Sequence, residues 1–484
     1  MLPFLLSLSL LAPAAFIRAP INALPGLPKL KRRQEEIDVA NQKAGTSYTI
    51  DFEIGTPAQK VTLILDTGSP DLWVNPTCET SGQPEYCASF PVFDYNSSTT
   101  IVDLKVADVL SYGKGNVTIE YVTDTVTIGS AVIKKQILGI GFGSHDIPMG
   151  ILGLSTSVNP DPAASYPYVL DNMATQGLIN SRAFSLDLRS VDNPNGAIIF
   201  GGVDTGKFIG TLEKLPILDP ADTPSGADRY WVTLAGVGLT FPNGSSETGS
   251  NSLDIPIFLD SGGTLSRLPT KVFNWIGENI PGAQFDTASG FYIVDCSLAS
   301  QEGSVDFLFG SKTIQVAWAD FIWEIQGVCV VGVLPEDTEP VFGDSFLRAA
   351  YVVYDQDNRN LHLAQAANCG STIVAIKSGK DAVPSSAGEC KTTEPPRAAS
   401  ASATASGSPA EITGGGGLPG PAGTGTGTAP VPTGGATGTA TGGATAATGT
   451  STSKSGAAPT LGAGLGAMIA FGALGAVNVA AMAM

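Results

Sequence analysis

Histidine is nearly absent from this 484-residue chain, which carries only His145 and His362. That scarcity leaves little room for a His-rich zinc centre or a Ser-His-Asp relay. Basic residues are also few, with 26 Lys and Arg against 44 Asp and Glu, a formal charge of −18. A chain so short of Lys and Arg is a poor match for nucleic-acid phosphates. Charged residues of both signs make up just 14% and hydrophobic residues 43%, which excludes a wholly disordered acidic polymer. What remains in quantity is carboxylate, so the expected chemistry runs on Asp and Glu.

The hydrophobic residues are unevenly placed. Residues 1–17 (MLPFLLSLSLLAPAAFI) are almost purely apolar and read as the start of a secretory leader over 1–23, cut after Ala15 or Ala23. Lys31-Arg32-Arg33 then reads as a processing site that ends a short propeptide at 24–33. Removing the five basic residues of the first 33, which include no acidic ones, would take the charge from −18 to −23. At the other end, residues 391–455 are mostly Ser, Thr, Gly, Ala and Pro. Such a stretch buries too little apolar surface to offset its ordering entropy, so it reads as a disordered, O-glycosylated stalk. Small residues precede a final apolar run, Leu461–Met484, and no Lys or Arg follows it. The absent cation argues against a membrane span and for a GPI-attachment signal over 456–484, with the anchor on Ser455 or Gly456. The expected location is the cell surface, on the plasma membrane or in the wall, with the protein a monomer. Six cysteines suit that oxidising compartment, and Asn96, Asn116 and Asn243 stand in N-glycosylation sequons.

Between these ends the chain reads as all-β. Short runs such as SYTIDFEIG (47–55), VTLILD (61–66), VTIEYVTDTVTIG (117–129) and AAYVVYD (349–355) alternate in polarity and are rich in β-branched residues. Helices are expected only in short pieces such as Thr270–Asn279 and Tyr168–Gln176.

One phrase occurs twice. Leu63-Ile64-Leu65-Asp66-Thr67-Gly68-Ser69 is answered by Ile257-Phe258-Leu259-Asp260-Ser261-Gly262-Gly263. In each, an apolar strand delivers an Asp, and Gly then permits a tight turn and close backbone approach. Two such loops related by an internal two-fold would bring two carboxylates face to face. Like charges that close cannot both ionise, so the pair shares one proton. One member then activates water as a base while the other polarises a peptide carbonyl. A third Asp-Thr-Gly, at 204–206, lacks the apolar approach and reads as an ordinary turn.

With these phrases the chain resembles the pepsin-like aspartic proteases, in particular fungal GPI-anchored members of the yapsin type. The likeness runs over roughly residues 46–368 and includes FEIGTPAQKVTLILDTGSPDLWV, SYGKG at 111–115, MGILGLS at 149–155, FLDSGGTLSRLP and VFGDSFLRAAYVVYD. It implies a bilobal fold with a substrate cleft, the N-terminal lobe at 34–215 and the C-terminal lobe at 216–390. It implies that Asp66 and Asp260 are the catalytic dyad, supported by Thr67, Gly68, Ser69, Ser261 and Gly262. Tyr112, Gly113 and Lys114 would form the tip of a flap over a protein or peptide substrate, with Trp73 beneath Tyr112. The resemblance also implies disulfides Cys78–Cys87 and Cys296–Cys329, and the two cysteines that remain are Cys369 and Cys390.

Two residues depart from the family pattern. Gly263 stands where a hydroxyl residue is usual, so Asp260 would lack a hydrogen bond that Ser69 gives Asp66, with a changed pH profile as the expected result. Lys114 stands where relatives often carry Asp, and a cation there would disfavour basic substrate residues. The function the resemblance implies is an extracellular acid endopeptidase that uses no metal or organic cofactor. The alternatives are a weakened homologue that only binds peptides and a structural cell-wall glycoprotein.

Overall fold

The computed structural model describes residues 16–24, 47–75, 77–113, 115–156, 166–189, 195–325 and 327–391, all within one compact unit. The leader up to residue 15, the basic cluster at 31–33, Lys114, the stalk and the anchor signal with Ser455 and Gly456 lie outside them.

The β-branched runs form strands, since such side chains pack well on a pleated surface. β1 (Ile17–Leu24), β2 (Ser47–Ile54), β3 (Gln59–Asp66) and β4 (Leu72–Val74) come first. β5 (Val102–Ser111), β6 (Asn116–Ile128), β7 (Ala131–His145) and β8 (Ile151–Gly153) follow. β9 (Ala183–Asp187), β10 (Asn195–Phe200), β11 (Gly202–Asp204) and β12 (Phe208–Pro216) complete the first half. Helices are short, and the two expected ones are present at Val169–Thr175 and Thr270–Asn279.

Most of these strands join one 13-stranded sheet that ends in the order β4, β7, β6, β5. At its other end, strands Ala350–Asp355 and Asn360–Ala366 lie between β9 and β12. The second half of the chain therefore supplies strands to the first half's sheet, across the lobe boundary expected at 215/216. β1 is an interior strand, antiparallel to β10 on one side and to β2 on the other. Its Ile17, Ala19 and Ile21 are buried. The leader expected to end at residue 23 thus overlaps a strand of the sheet.

The duplicated phrase sits in duplicated topology. β3 lies antiparallel to β2 and parallel to β8, with Asp66 level with Gly153. Strand Ile255–Leu259 lies antiparallel to Trp231–Leu234 and parallel to Val341–Phe342, which ends just before Gly343. β4 crosses back on β8, as Ser266–Leu268 does on Val341. Beneath both loops a single apolar core includes Leu63, Leu65, Leu152, Ile257, Leu259 and Phe342. Burying each such side chain stabilises the fold by about 1.5–3 kcal/mol, so the core fixes where both strands end.

The disulfides are Cys78–Cys87, Cys296–Cys329 and Cys369–Cys390. The third Asp-Thr-Gly forms a buried 3-10 turn with a structural task. Asp204 accepts hydrogen bonds from Thr372 N (2.7 Å) and Ser371 Oγ (2.6 Å), tying down the chain beside Cys369–Cys390.

Candidate active site

β3 and strand Ile255–Leu259 deliver Asp66 and Asp260 to the ends of two parallel-paired strands, where each chain turns sharply. Asp66 is buried, at 5% exposure, and Asp260 is partly exposed. The turns interlock through their hydroxyls. Thr67 Oγ1 donates to Leu259 O (3.0 Å) and accepts from Ser261 N (2.9 Å). Ser261 Oγ reciprocally donates to Leu65 O (2.9 Å) and accepts from Thr67 N (3.2 Å). These four bonds are buried and satisfy backbone groups that water cannot reach.

The glycines are dictated by close approach. A Cβ on Gly68 would lie 2.6 Å from Asp260 Oδ2, and a Cβ on Gly262 would lie 2.6 Å from Asp66 Oδ1. Each glycine makes room for the carboxylate of the other loop, so the two Asp side chains meet across the interlock.

The carboxylates are held unequally. Asp66 accepts from Gly68 N (2.7 Å) and Ser69 Oγ (2.5 Å). Asp260 accepts from Gly262 N (2.8 Å). Position 263 contributes no side chain, although a Cβ there would sit 3.7 Å from Asp260 Oδ2, an ordinary contact. Burial and then the charge of Asp260 push the Asp66 carboxyl well above the usual carboxylate range, while the Ser69 and Gly68 bonds pull it back.

Trp73, fully buried, donates from Nε1 to Tyr112 OH at 2.9 Å. Tyr112 and Gly113 lie at the turn of the β5–β6 hairpin, where Tyr112 N donates to Gly115 O (2.7 Å). Burial and the nearby carboxylates of Asp66 and Asp71 raise the Tyr112 hydroxyl well above its usual range, so it stays protonated. The sequons are exposed: Asn96 in a 3-10 turn, Asn116 at the start of β6, and Asn243 between two strands.

Sequence reasoning passed over two carboxylates near the pair. Asp71 accepts from Tyr166 OH (2.6 Å) and Tyr121 OH (3.3 Å), and burial raises its pKa. Its closeness to Asp66 in sequence was the available signal. Asp344 is buried behind Gly263, whose carbonyl accepts from its backbone N (2.8 Å). Burial, partly opposed by Arg348, holds Asp344 well above the usual carboxylate range. No short sequence pattern marks it.

Comparison with known proteins agrees with this geometry. A family profile described as eukaryotic aspartyl protease matches residues 47–366. The probable aspartic-type endopeptidase opsB of Aspergillus oryzae is 32% identical over 377 residues, covering 73% of this chain and 76% of its own. An acid protease of Saccharomycopsis fibuligera is 35% identical, over 72% of this chain and 88% of its own. Aspartic proteinase yapsin-3 of Saccharomyces cerevisiae is 32% identical over 70% of each. Among solved structures, the aspartic proteinase from Irpex lacteus shares the fold, with a TM-score of 0.55 at 22% identity, over 72% of this chain and 98% of that one.

Proposed function

The chain belongs to the eukaryotic aspartyl protease family and is an aspartic-type endopeptidase, and from that premise we propose that Asp66 and Asp260 are its catalytic pair. The supporting observation is the hydroxyl interlock that holds one buried and one partly exposed carboxyl against each other. The pair shares one proton, which the buried setting of Asp66 favours keeping there. The ionised partner takes a proton from water, and the oxygen attacks the scissile carbonyl as the acid donates to the carbonyl oxygen. The tetrahedral intermediate then expels the amine, which leaves with a proton from the pair. Tyr112, fixed by Trp73, closes over the peptide from the flap side. Thr67, Gly68, Ser69, Ser261 and Gly262 are positioning residues.

Activity belongs at acidic pH, because the acid is lost once both carboxyls ionise. Peptide hydrolysis measured from about pH 3 to pH 7, with and without a pepstatin-type inhibitor, tests this. An inhibitor-insensitive hydrolysis that rises toward neutrality would overturn it.

Export, acid activation and surface anchoring complete the proposal. The leader is cut after Ala15, since a cut after Ala23 would remove β1 from between β10 and β2. Cutting at Lys31-Arg32-Arg33 then separates β1 from the body, and the stalk and final apolar run carry the anchor. N-terminal sequencing of precursor and mature protein, and release from cells by a phosphatidylinositol-specific phospholipase, check these steps. A precursor beginning at Leu24, or protein retained after lipase treatment, would refute the corresponding step.

A further inference from the structure

We propose that Asn116 carries an N-linked glycan that shields the outer face and free edge of the flap hairpin. The proposal rests on the reading that the chain is exported, because the oligosaccharide is added along that route. β5 is the last strand of the 13-stranded sheet, so among the described residues its outer backbone groups meet no further strand. A free edge is a template for pairing with another chain, above all when its side chains are apolar. Val102, Leu104, Val106 and Val109 are all exposed on β5, Val109 at 54%.

The first half of β5 carries its own protection. A register shift between Asp103 and Val106 bends the strand at Lys105, whose φ is +59° and whose side chain is exposed. Bulges and lysines of this kind blunt an edge. The second half, Val106–Ser111, pairs regularly with β6 and has neither device.

The sequon stands beside that second half. Val117 is fully buried and packs in the cluster with Trp73, while Asn116 and Thr118 are exposed. Alternation along a strand therefore turns Asn116 and Thr118 to the outer face together. Thr118 lies opposite Val109, and Asn116 opposite Ser111. Neighbouring strands are about 5 Å apart, so a branched oligosaccharide on Asn116 overhangs β5 and keeps a second chain away. Tyr112 turns inward to Trp73, which leaves the side facing Asp66 uncovered.

In the transfer, the Asn116 amide nitrogen attacks the anomeric carbon of a lipid-pyrophosphate-linked oligosaccharide. A carbon–nitrogen bond forms, the bond to the pyrophosphate oxygen breaks, the lipid pyrophosphate leaves, and the amide proton passes to base.

The test uses the full chain secreted from a eukaryotic host, with glycopeptide mapping and sedimentation. The expected result is a glycan on Asn116 that Thr118→Ala removes and Thr118→Ser retains. Thr118→Ala, or enzymatic deglycosylation, raises the self-associated fraction severalfold, and adding Val109→Lys to Thr118→Ala reverses the rise. A bare Asn116 beside glycosylated Asn96 and Asn243 overturns the proposal while export stands. Three bare sequons overturn the export reading and this proposal together. A glycan whose loss leaves sedimentation unchanged overturns the shielding role.

Discussion

Asp66 and Asp260 end equivalent strands in two copies of one topology, yet their surroundings differ. Asp66 is buried, receives a hydroxyl bond from Ser69, and lies beside Tyr112. Asp260 is partly exposed and has a glycine where the first loop has Ser69. Below the carboxyls the loops are alike, since Thr67 and Ser261 make the same two bonds in opposite directions. The difference teaches that the scaffold holds the pair together symmetrically while the outermost contacts distinguish its members.

The strongest way to probe this comparison is to remove each carboxylate. Asp66→Asn and Asp260→Asn are each expected to lower kcat by roughly 10⁴-fold, since neither acid nor base can act alone. Peptide hydrolysis that survived within tenfold in one variant would break the equivalence of the two loops.

The interlock comes next. Thr67→Val and Ser261→Ala each strand a buried N–H and a buried carbonyl, at a cost of about 1–3 kcal/mol per stranded group. Denaturant midpoints should fall by similar amounts in both. A clearly unequal pair of shifts would mean that the asymmetry reaches below the carboxylates.

The pH profile sharpens the contrast itself. If the pair acts as proposed, activity should be lost as pH rises through the Asp66 pKa, because the pair then loses its proton. Ser69 bonds the charged form and holds that pKa down, so Ser69→Ala should move the alkaline limb up. Gly263→Ser offers Asp260 the hydroxyl bond that Ser69 gives Asp66 and should raise kcat at a fixed acidic pH. Its Cβ fits, at 3.7 Å from Asp260 Oδ2 and 3.9 Å from Gly343 Cα. An unmoved alkaline limb in Ser69→Ala together with an unchanged kcat in Gly263→Ser would show that these hydroxyl contacts do not distinguish the carboxylates.

The smallest effect belongs to the flap. Tyr112→Phe removes the 2.9 Å bond from Trp73, worth about 1 kcal/mol, and should lower kcat/KM roughly fivefold. A far larger loss would give the hydroxyl a direct part in the chemistry.

Much of this was legible in the linear chain because its signals are local. Strand periodicity anticipated β2, β3 and β6 to within two residues at either end. The repeated Asp-hydroxyl-Gly phrase marked both loops, and the missing flank at Asp204 separated a structural turn from them. The burial of β1 was hidden, since residues 17–23 were read as the end of a secretory leader rather than as a strand. Asp344 was hidden because its partner Gly263 is distant in sequence, and Asp71 was marked only by its closeness to Asp66, its partner Tyr166 lying 95 residues on. So too was the reason for Gly68 and Gly262, which each make space for the other loop's carboxylate.

By itself, then, the sequence determined the all-β class, the two Asp loops, and their unequal third residues, Ser69 and Gly263. These follow from periodicity and composition within about ten residues. Only the tertiary structure decided that the loops interlock, that Asp66 is the more buried carboxyl, and that β1 is interior. Those outcomes depend on desolvation and close approach between segments up to about 200 residues apart, which no local pattern encodes. The scarce histidine left little room for His-based chemistries, but the close approach of one buried and one partly exposed aspartate gives the remaining one its form.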